Sequence, residues 1–202
     1  MEQRGTVILI ICWIGCVLGG LALVTGYSNR PGLAAAAPPD TWPASAPSRD
    51  RLRPSLVIFL HPHCPCSQAA LSELARLLPR LNESIEVRLV FVSLPGVPDA
   101  EGGALWAQAA NIAGAQRVRD PGGRMARQFG ARTSGQTFLF DADGRRLFSG
   151  GLTARRGHEG GNAGAAAIAA HLRCDPRAPP ATPVFGCALF DGADHAAPEG
   201  GT

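Results

Sequence analysis

The chain contains no lysine; all 19 of its basic residues are arginine. With alanine abundant as well, this reads as the codon usage of a GC-rich genome and not as a site. The arginines are scattered, the net charge is only +3 and no basic stripe forms, so no nucleic-acid partner is expected. A nucleotide fingerprint is also missing. Gly160-Gly161-Asn162-Ala163-Gly164 matches none and follows a hairpin pattern, not a parallel strand. Gly and Pro, at 25 and 17 residues, stay below the roughly 25–30% that marks wholesale disorder. At 202 residues the chain suits one domain with an anchor and tails and is short for two domains.

Long apolar runs are absent with one exception. Residues 6–26 carry no charge, close to the ~20 residues a helix needs to cross a bilayer. A cleaved signal peptide usually has an apolar region of about 7–15 residues. The longer run is therefore expected to be a retained single-pass anchor after a short tail of residues 1–5, with the N-terminus in the cytoplasm. Cys12 and Cys16 within it read as small apolar residues. Residues 27–54 are rich in Ala, Pro, Ser and Arg without a period, the composition of an extended linker. The folded domain is expected over residues 55–173, with a tail from 174 to 202 of which only 184–190 is apolar enough to pack back.

Within the domain, residues 56–60 form a continuous apolar run, as in a strand buried on both faces. Ala70, Leu71, Leu74, Leu77, Leu78 and Leu81 then recur at helical spacing, predicting a helix that ends near Asn82. Residues 85–92 read as a second central strand, completing a βαβ unit with parallel strands. A Pro/Gly-rich loop over 94–103, a helix over 105–112 carrying Trp106, a short edge strand at 118–120 and a brief helix closed by Gly130 follow. Residues 137–149 hold the strongest hairpin signal, Asp143-Gly144 between two apolar alternations. A loop over 150–162 and an Ala-rich helix over 163–173 close the pattern. The order implies an α/β fold with a mixed central sheet flanked by helices.

Between the first strand and first helix stand His61-Pro62-His63-Cys64-Pro65-Cys66-Ser67. A thiolate is the form that attacks disulfides and binds metals, so a redox cysteine needs help losing its proton. Cys64 falls at a helix N-terminus, where unpaired N–H groups favour an anion, and Pro65 suits the first helical position. His61 and His63 are placed to lower the thiol pKa or relay its proton. Cys64 is expected to attack and Cys66 to resolve, the first cysteine of such motifs normally being the more exposed. Across residues 55–173 the chain resembles the thioredoxin-like superfamily, in its membrane-tethered TlpA- and ResA-like branch, on the Cys motif and on Thr137-Phe-Leu-Phe-Asp-Ala-Asp-Gly144. His61 to Ser67, Thr133 to Thr137, Gly157-His158-Glu159 and Pro183 to Cys187 further resemble RedB-type thioredoxin-like proteins.

That resemblance implies a thioredoxin-like fold and thiol–disulfide exchange with a redox partner protein, with no cofactor. The expected setting is a bacterial inner (cytoplasmic) membrane, with the domain extracytoplasmic. The chain departs from the family twice. One residue, Pro65, separates the cysteines in place of two, which makes a more strained and more oxidising disulfide. Gly135 also stands where the family has a cis-proline thought to keep metals off the thiols, leaving room for an ion. His61, His63, Cys64 and Cys66 suit copper or zinc. A Sco-like copper-binding role, with His158 as a distant ligand, is therefore the alternative, and a non-catalytic interaction module a further one. Cys174 and Cys187 are read first as a structural disulfide; the other reading brings Cys187 to Cys64 and Cys66 as a third redox cysteine. His158 and Glu159 read as a solvated loop unless that loop folds over the cysteines, where Glu159 would move protons. His171 and His195 carry no motif and are read as surface residues.

Overall fold

A computed structural model describes residues 2–81, 85–93, 101 and 103–190. It divides into two units, Met1–Arg30 and Pro31–Thr202. The first is helix α1 (Glu2–Ser28), whose stretch Gln3–Ser28 is long and apolar enough to cross a membrane, with a mean hydropathy of 2.8 over its most apolar 18 residues. Asn82, the 94–100 part of the expected loop, and His195 lie outside the described residues.

The second unit is a five-stranded mixed sheet, in spatial order β3-β2-β1-β4-β5. Strand β1 (Ser55–Leu60) lies at its centre, parallel to β2 (Glu86–Ser93) and antiparallel to β4 (Gln136–Phe140). Its side chains alternate between faces as a pleated strand requires. Leu56, Ile58 and Leu60 join one apolar core, and Val57 and Phe59 the other. Both cores have to be covered, which is why the run reads apolar without a break. Helix α2 (Pro65–Leu77) covers the first face with Leu71 and Leu74, ending where Pro79 turns the chain into a 3₁₀ turn at Leu78–Arg80. Helices α3 (Ala104–Ala110) and α5 (Ala163–Leu172) share that face, and Trp106 packs edge-on against Phe91 at 5.0 Å.

Strand β3 (Ala115–Pro121) is longer than its sequence suggests and pairs with β2 over seven residues. Its outer residues are polar because it is an edge. Asp120 is buried one residue before the pairing ends, and its carboxylate accepts from the Met125 and Ala126 N–H groups of α4 (Arg124–Gln128) at 2.9 and 2.8 Å. Strand β5 (Arg146–Gly150) closes the hairpin with β4, and Gly144 at φ 85° makes the turn.

Residues 31–54, expected as an extended linker, are instead fastened to this unit, and the expectation is corrected here. Their backbone groups find partners: Ala36 N–H donates to the Gly130 carbonyl at 2.8 Å, and Trp42 N–H to the Gly144 carbonyl at 2.8 Å. The Trp42 ring meets Phe129 and Phe140 edge-on at 5.2 and 5.3 Å, capping the second core. Composition predicts a linker because one aromatic residue and a set of backbone hydrogen bonds leave no periodic trace. The Trp42→Ala variant of the full chain is expected to lose about 2–3 kcal/mol of unfolding free energy, less than a fully buried aromatic would. Chemical denaturation measures this, and an unchanged midpoint would show that the segment is not anchored.

Candidate functional site

The chain leaves β1 at Leu60 and must turn at once into α2. Three side-chain and backbone groups hold that turn. His61 N–H donates to Ser134 Oγ at 2.9 Å, Ser67 Oγ donates to the His61 carbonyl at 2.9 Å, and Ser67 Oγ and Ser134 Oγ are 2.5 Å apart. Both serines are buried, and each satisfies the other, as buried hydroxyls must. The ring ties the head of α2 to the loop before β4. Gly135 lies in that loop at φ 88°, a conformation that favours glycine, and its N–H donates to the Phe59 carbonyl at 2.7 Å.

Cys64 caps α2 in an extended conformation, φ −94° and ψ 123°, with Pro65 at the first helical position. Cys66 follows in the first turn. The third sulfur comes from far along the chain. Cys187 Sγ lies 3.0 Å from Cys64 Sγ, and the three sulfurs of Cys64, Cys66 and Cys187 lie within 4.8 Å of one another. The C-terminal segment brings it there by pairing with the loop before β4: Ser134 N–H donates to the Cys187 carbonyl at 2.8 Å and Leu189 N–H to the Arg132 carbonyl at 2.9 Å. Gly186 lies against this loop so closely that a Cβ there would overlap the Ser134 carbonyl. Leu189 and Phe190 are buried in the second core beyond it.

The expected Cys174–Cys187 disulfide is therefore not formed. Cys174 is exposed just past the end of α5, at φ 56°, whereas Cys187 is drawn to Cys64 by the strand pairing. Cys64 is also not the more exposed of the motif pair, the two being 5% and 6% exposed. What distinguishes Cys64 is an open groove of about 540 Å³, lined by Pro62, His63, Cys64, Pro65, Gln68 and Leu105 among others, and by neither other cysteine. His61 and His63 face each other, with ring centroids 6.2 Å apart and the His63 N–H donating to His61 Nδ1 at 3.2 Å. Among the described residues, neither they nor His158 belongs to the group of ligand atoms around the sulfurs. The four-residue His/Cys set drawn from the motif is therefore not the group that gathers within 4.8 Å; Cys187 joins the two motif cysteines there instead.

The loop after β5 does reach the cysteines, but with other residues than expected. Gly157 N–H hydrogen-bonds Cys66, and the Arg156 guanidinium donates to the Gly186 carbonyl and faces Cys187. Glu159 points elsewhere, accepting from Arg76 of α2 at 2.7 Å, which lowers its pKa. Glu73, also on α2, accepts from Asn162 Nδ2 at 3.2 Å and from Gly160 N–H, pinning the loop. His171 Nε2 meets the Pro179 carbonyl at 3.0 Å. Ser67, Ser134, Arg156 and Gly186 are the site residues whose roles sequence reading missed. Ser67, Ser134 and Gly186 lie inside the stretches that carry the resemblance, whereas Arg156 lies just outside one.

The three thiols split in acidity. Cys64 is pulled down to about 4 because Cys66 donates its S–H to it, against the cost of burial, with Cys187 and the N–H groups of Cys187 and Ser67 adding to the pull. Cys66 is raised far above its ordinary range by donating to Cys64 and by burial. Cys187 is raised to about 11 by burial and then by Cys64, against the Arg156 cation. The arrangement presents one thiolate at the groove and keeps two thiols behind it protonated.

No family model and no curated protein matches the chain. Among solved structures it is similar to an uncharacterized conserved protein from Geobacillus kaustophilus, at 20% identity and a TM-score of 0.56, over 80% of this chain and 93% of that one. It is likewise similar to a hypothetical protein from Sinorhizobium meliloti 1021, at 20% identity and a TM-score of 0.53, over 80% and 96%. The fold is thioredoxin-like. A thioredoxin-like scaffold puts a strand-to-helix junction at the centre of its sheet, and here that junction carries Cys64. In the full chain, Cys64 alkylation by iodoacetamide is expected to stay nearly constant from pH 8 down to pH 6. An ordinary thiol, with a pKa of roughly 8.5, slows about tenfold per unit over that range. Peptide mapping of labelled Cys64 reads the rate, and a tenfold fall per unit would contradict a depressed pKa.

Proposed function

We propose that the protein is a membrane-tethered thiol–disulfide oxidoreductase that exchanges disulfides with a protein partner through Cys64. The observation that carries this reading is the placement of Cys64 at the head of α2, facing a groove, with two further sulfurs within 4.8 Å. The Cys64 thiolate attacks a partner disulfide; one partner sulfur leaves as a thiol and the other stays joined to Cys64 as a mixed disulfide. A second thiol of the cluster attacks that bond, releases the partner reduced and leaves a disulfide on this chain. In the opposite direction the chain's disulfide oxidises a partner dithiol.

The tether is α1, and the domain works outside the cytoplasm on a bacterial inner membrane. Support comes from the apolar length of Gln3–Ser28, near the N-terminus. External protease added to intact spheroplasts is expected to cut the domain from the membrane; protection would contradict this orientation.

One observation favours a second reading. Three sulfurs grouped within 4.8 Å are soft ligands suited to Cu(I), now as Cys64, Cys66 and Cys187 without histidine. One set of measurements separates the two. The full chain in detergent is expected to accelerate the reduction of insulin by dithiothreitol, and Cys64→Ser to lower that acceleration about a hundredfold or more. Unchanged activity in Cys64→Ser, or stoichiometric copper in the purified chain that blocks Cys64 alkylation, would overturn the oxidoreductase reading.

A further inference from the structure

Two thiols flank Cys64, and the fold holds them in different ways. Cys66 stands two positions along, in the first turn of α2, with only Pro65 between them. A bond from Cys64 to Cys66 closes over that one residue, whose φ is fixed by its ring. Cys187 carries no such restriction. It reaches Cys64 from 123 positions away, at a sulfur–sulfur distance of 3.0 Å.

Its segment is secured on both sides of the cysteine. Upstream, Ser149 N–H of β5 donates to the Pro180 carbonyl at 3.0 Å and Gly32 N–H donates to the Val184 carbonyl at 2.7 Å. Downstream, Ala188 bridges Thr133, and Leu189 and Phe190 are buried. The Arg156 guanidinium holds the Gly186 carbonyl between them. Cys187 is thus positioned by the scaffold and is not a passing contact of a loose tail. Forming a bond of about 2.05 Å requires an approach of about 1 Å.

We propose that Cys187, and not Cys66, is the thiol that resolves the mixed disulfide on Cys64. The proposal rests on the oxidoreductase reading above and assigns that site its second reacting thiol. In the first step the Cys64 thiolate attacks a partner disulfide, and one partner sulfur leaves as a thiolate that takes a proton from water. In the second, Cys187 gives up its proton to water and attacks the Cys64 sulfur. The Cys64–partner bond breaks, the second partner sulfur leaves and is protonated, and a Cys64–Cys187 bond remains. The partner is reduced by two electrons and the Cys64/Cys187 pair is oxidised by two. Cys66 stays a thiol throughout and serves as the hydrogen-bond donor to Cys64. Because the Ser134 N–H and Arg132 carbonyl are already engaged by the C-terminal segment, the partner's disulfide enters from the groove beside Pro62 and Leu105.

The test uses the full chain in detergent with Cys12, Cys16 and Cys174 changed to Ser, reduced and then given one equivalent of the aromatic disulfide dithiobis(nitrobenzoate). Each chain is expected to release two equivalents of coloured thiolate, with peptide mapping finding Cys64 joined to Cys187. Cys66→Ser is expected to release two as well, whereas Cys187→Ser and Cys187→Ala stop at one, with the aromatic group left on Cys64. A Cys64–Cys66 bond in the unsubstituted cluster, two equivalents from the Cys187 variants, or one from Cys66→Ser would overturn the assignment while leaving thiol exchange standing. Mapping of the unsubstituted cluster depends on no variant's folding. Release of no thiolate traceable to Cys64 would sink the oxidoreductase reading and the assignment together.

Discussion

The antiparallel pairing of the C-terminal segment with the loop before β4 is the constraint on which the site depends. Two backbone hydrogen bonds, Ser134 N–H to Cys187 carbonyl and Leu189 N–H to Arg132 carbonyl, set the position of a sulfur 123 positions from its neighbour. Each such bond contributes only about 1 kcal/mol net. They hold because burial of Leu189 and Phe190 in the second core anchors the segment beyond them. Glycine at 186 is needed for the approach, since any side chain would meet the Ser134 carbonyl.

The same loop serves both cysteine sources. Ser134 grips the β1–α2 turn through His61 N–H and Ser67, while its own N–H takes the Cys187 carbonyl. One buried serine thus fixes the head of α2 and the tail against each other. Around this junction the charged groups are few, so the acidity of Cys64 is set mainly by neighbouring sulfurs and backbone N–H groups. Histidine, the obvious candidate from the motif, does not enter the sulfur group. The site is a largely buried sulfur cluster, where hydrogen bonds to an anion count for more than in water.

Local signals were readable from sequence and long-range ones were not. The unbroken apolar run of β1, the helical spacing of Leu71 and Leu74, and the Asp143-Gly144 turn each report a local preference, and together they specify the sheet. The β1–α2 junction, with Pro65 at the first helical position, could be placed on the same grounds. The position of Cys187 could only be one of several pairings, because strand addition by a lone bridge leaves no alternation to detect. Trp42 illustrates the same limit: its partners Phe129 and Phe140 are distant in sequence, so a segment of Ala and Pro passes for a linker. Glu159 shows the limit again: the contacts that hold its loop along α2, to Arg76 and Glu73, come from more than 80 positions earlier in the chain.

The central claim is that Cys64 is half of a reversible redox couple formed with a neighbouring thiol. The most direct measurement equilibrates the full chain in glutathione buffers of graded potential, quenches with acid, and counts free thiols by mass. The expected result is a single two-electron transition in which two thiols disappear together, Cys64 being one of them. A Cys64 that remains alkylatable across the whole range, or that is lost only as a mixed disulfide with glutathione, would contradict it.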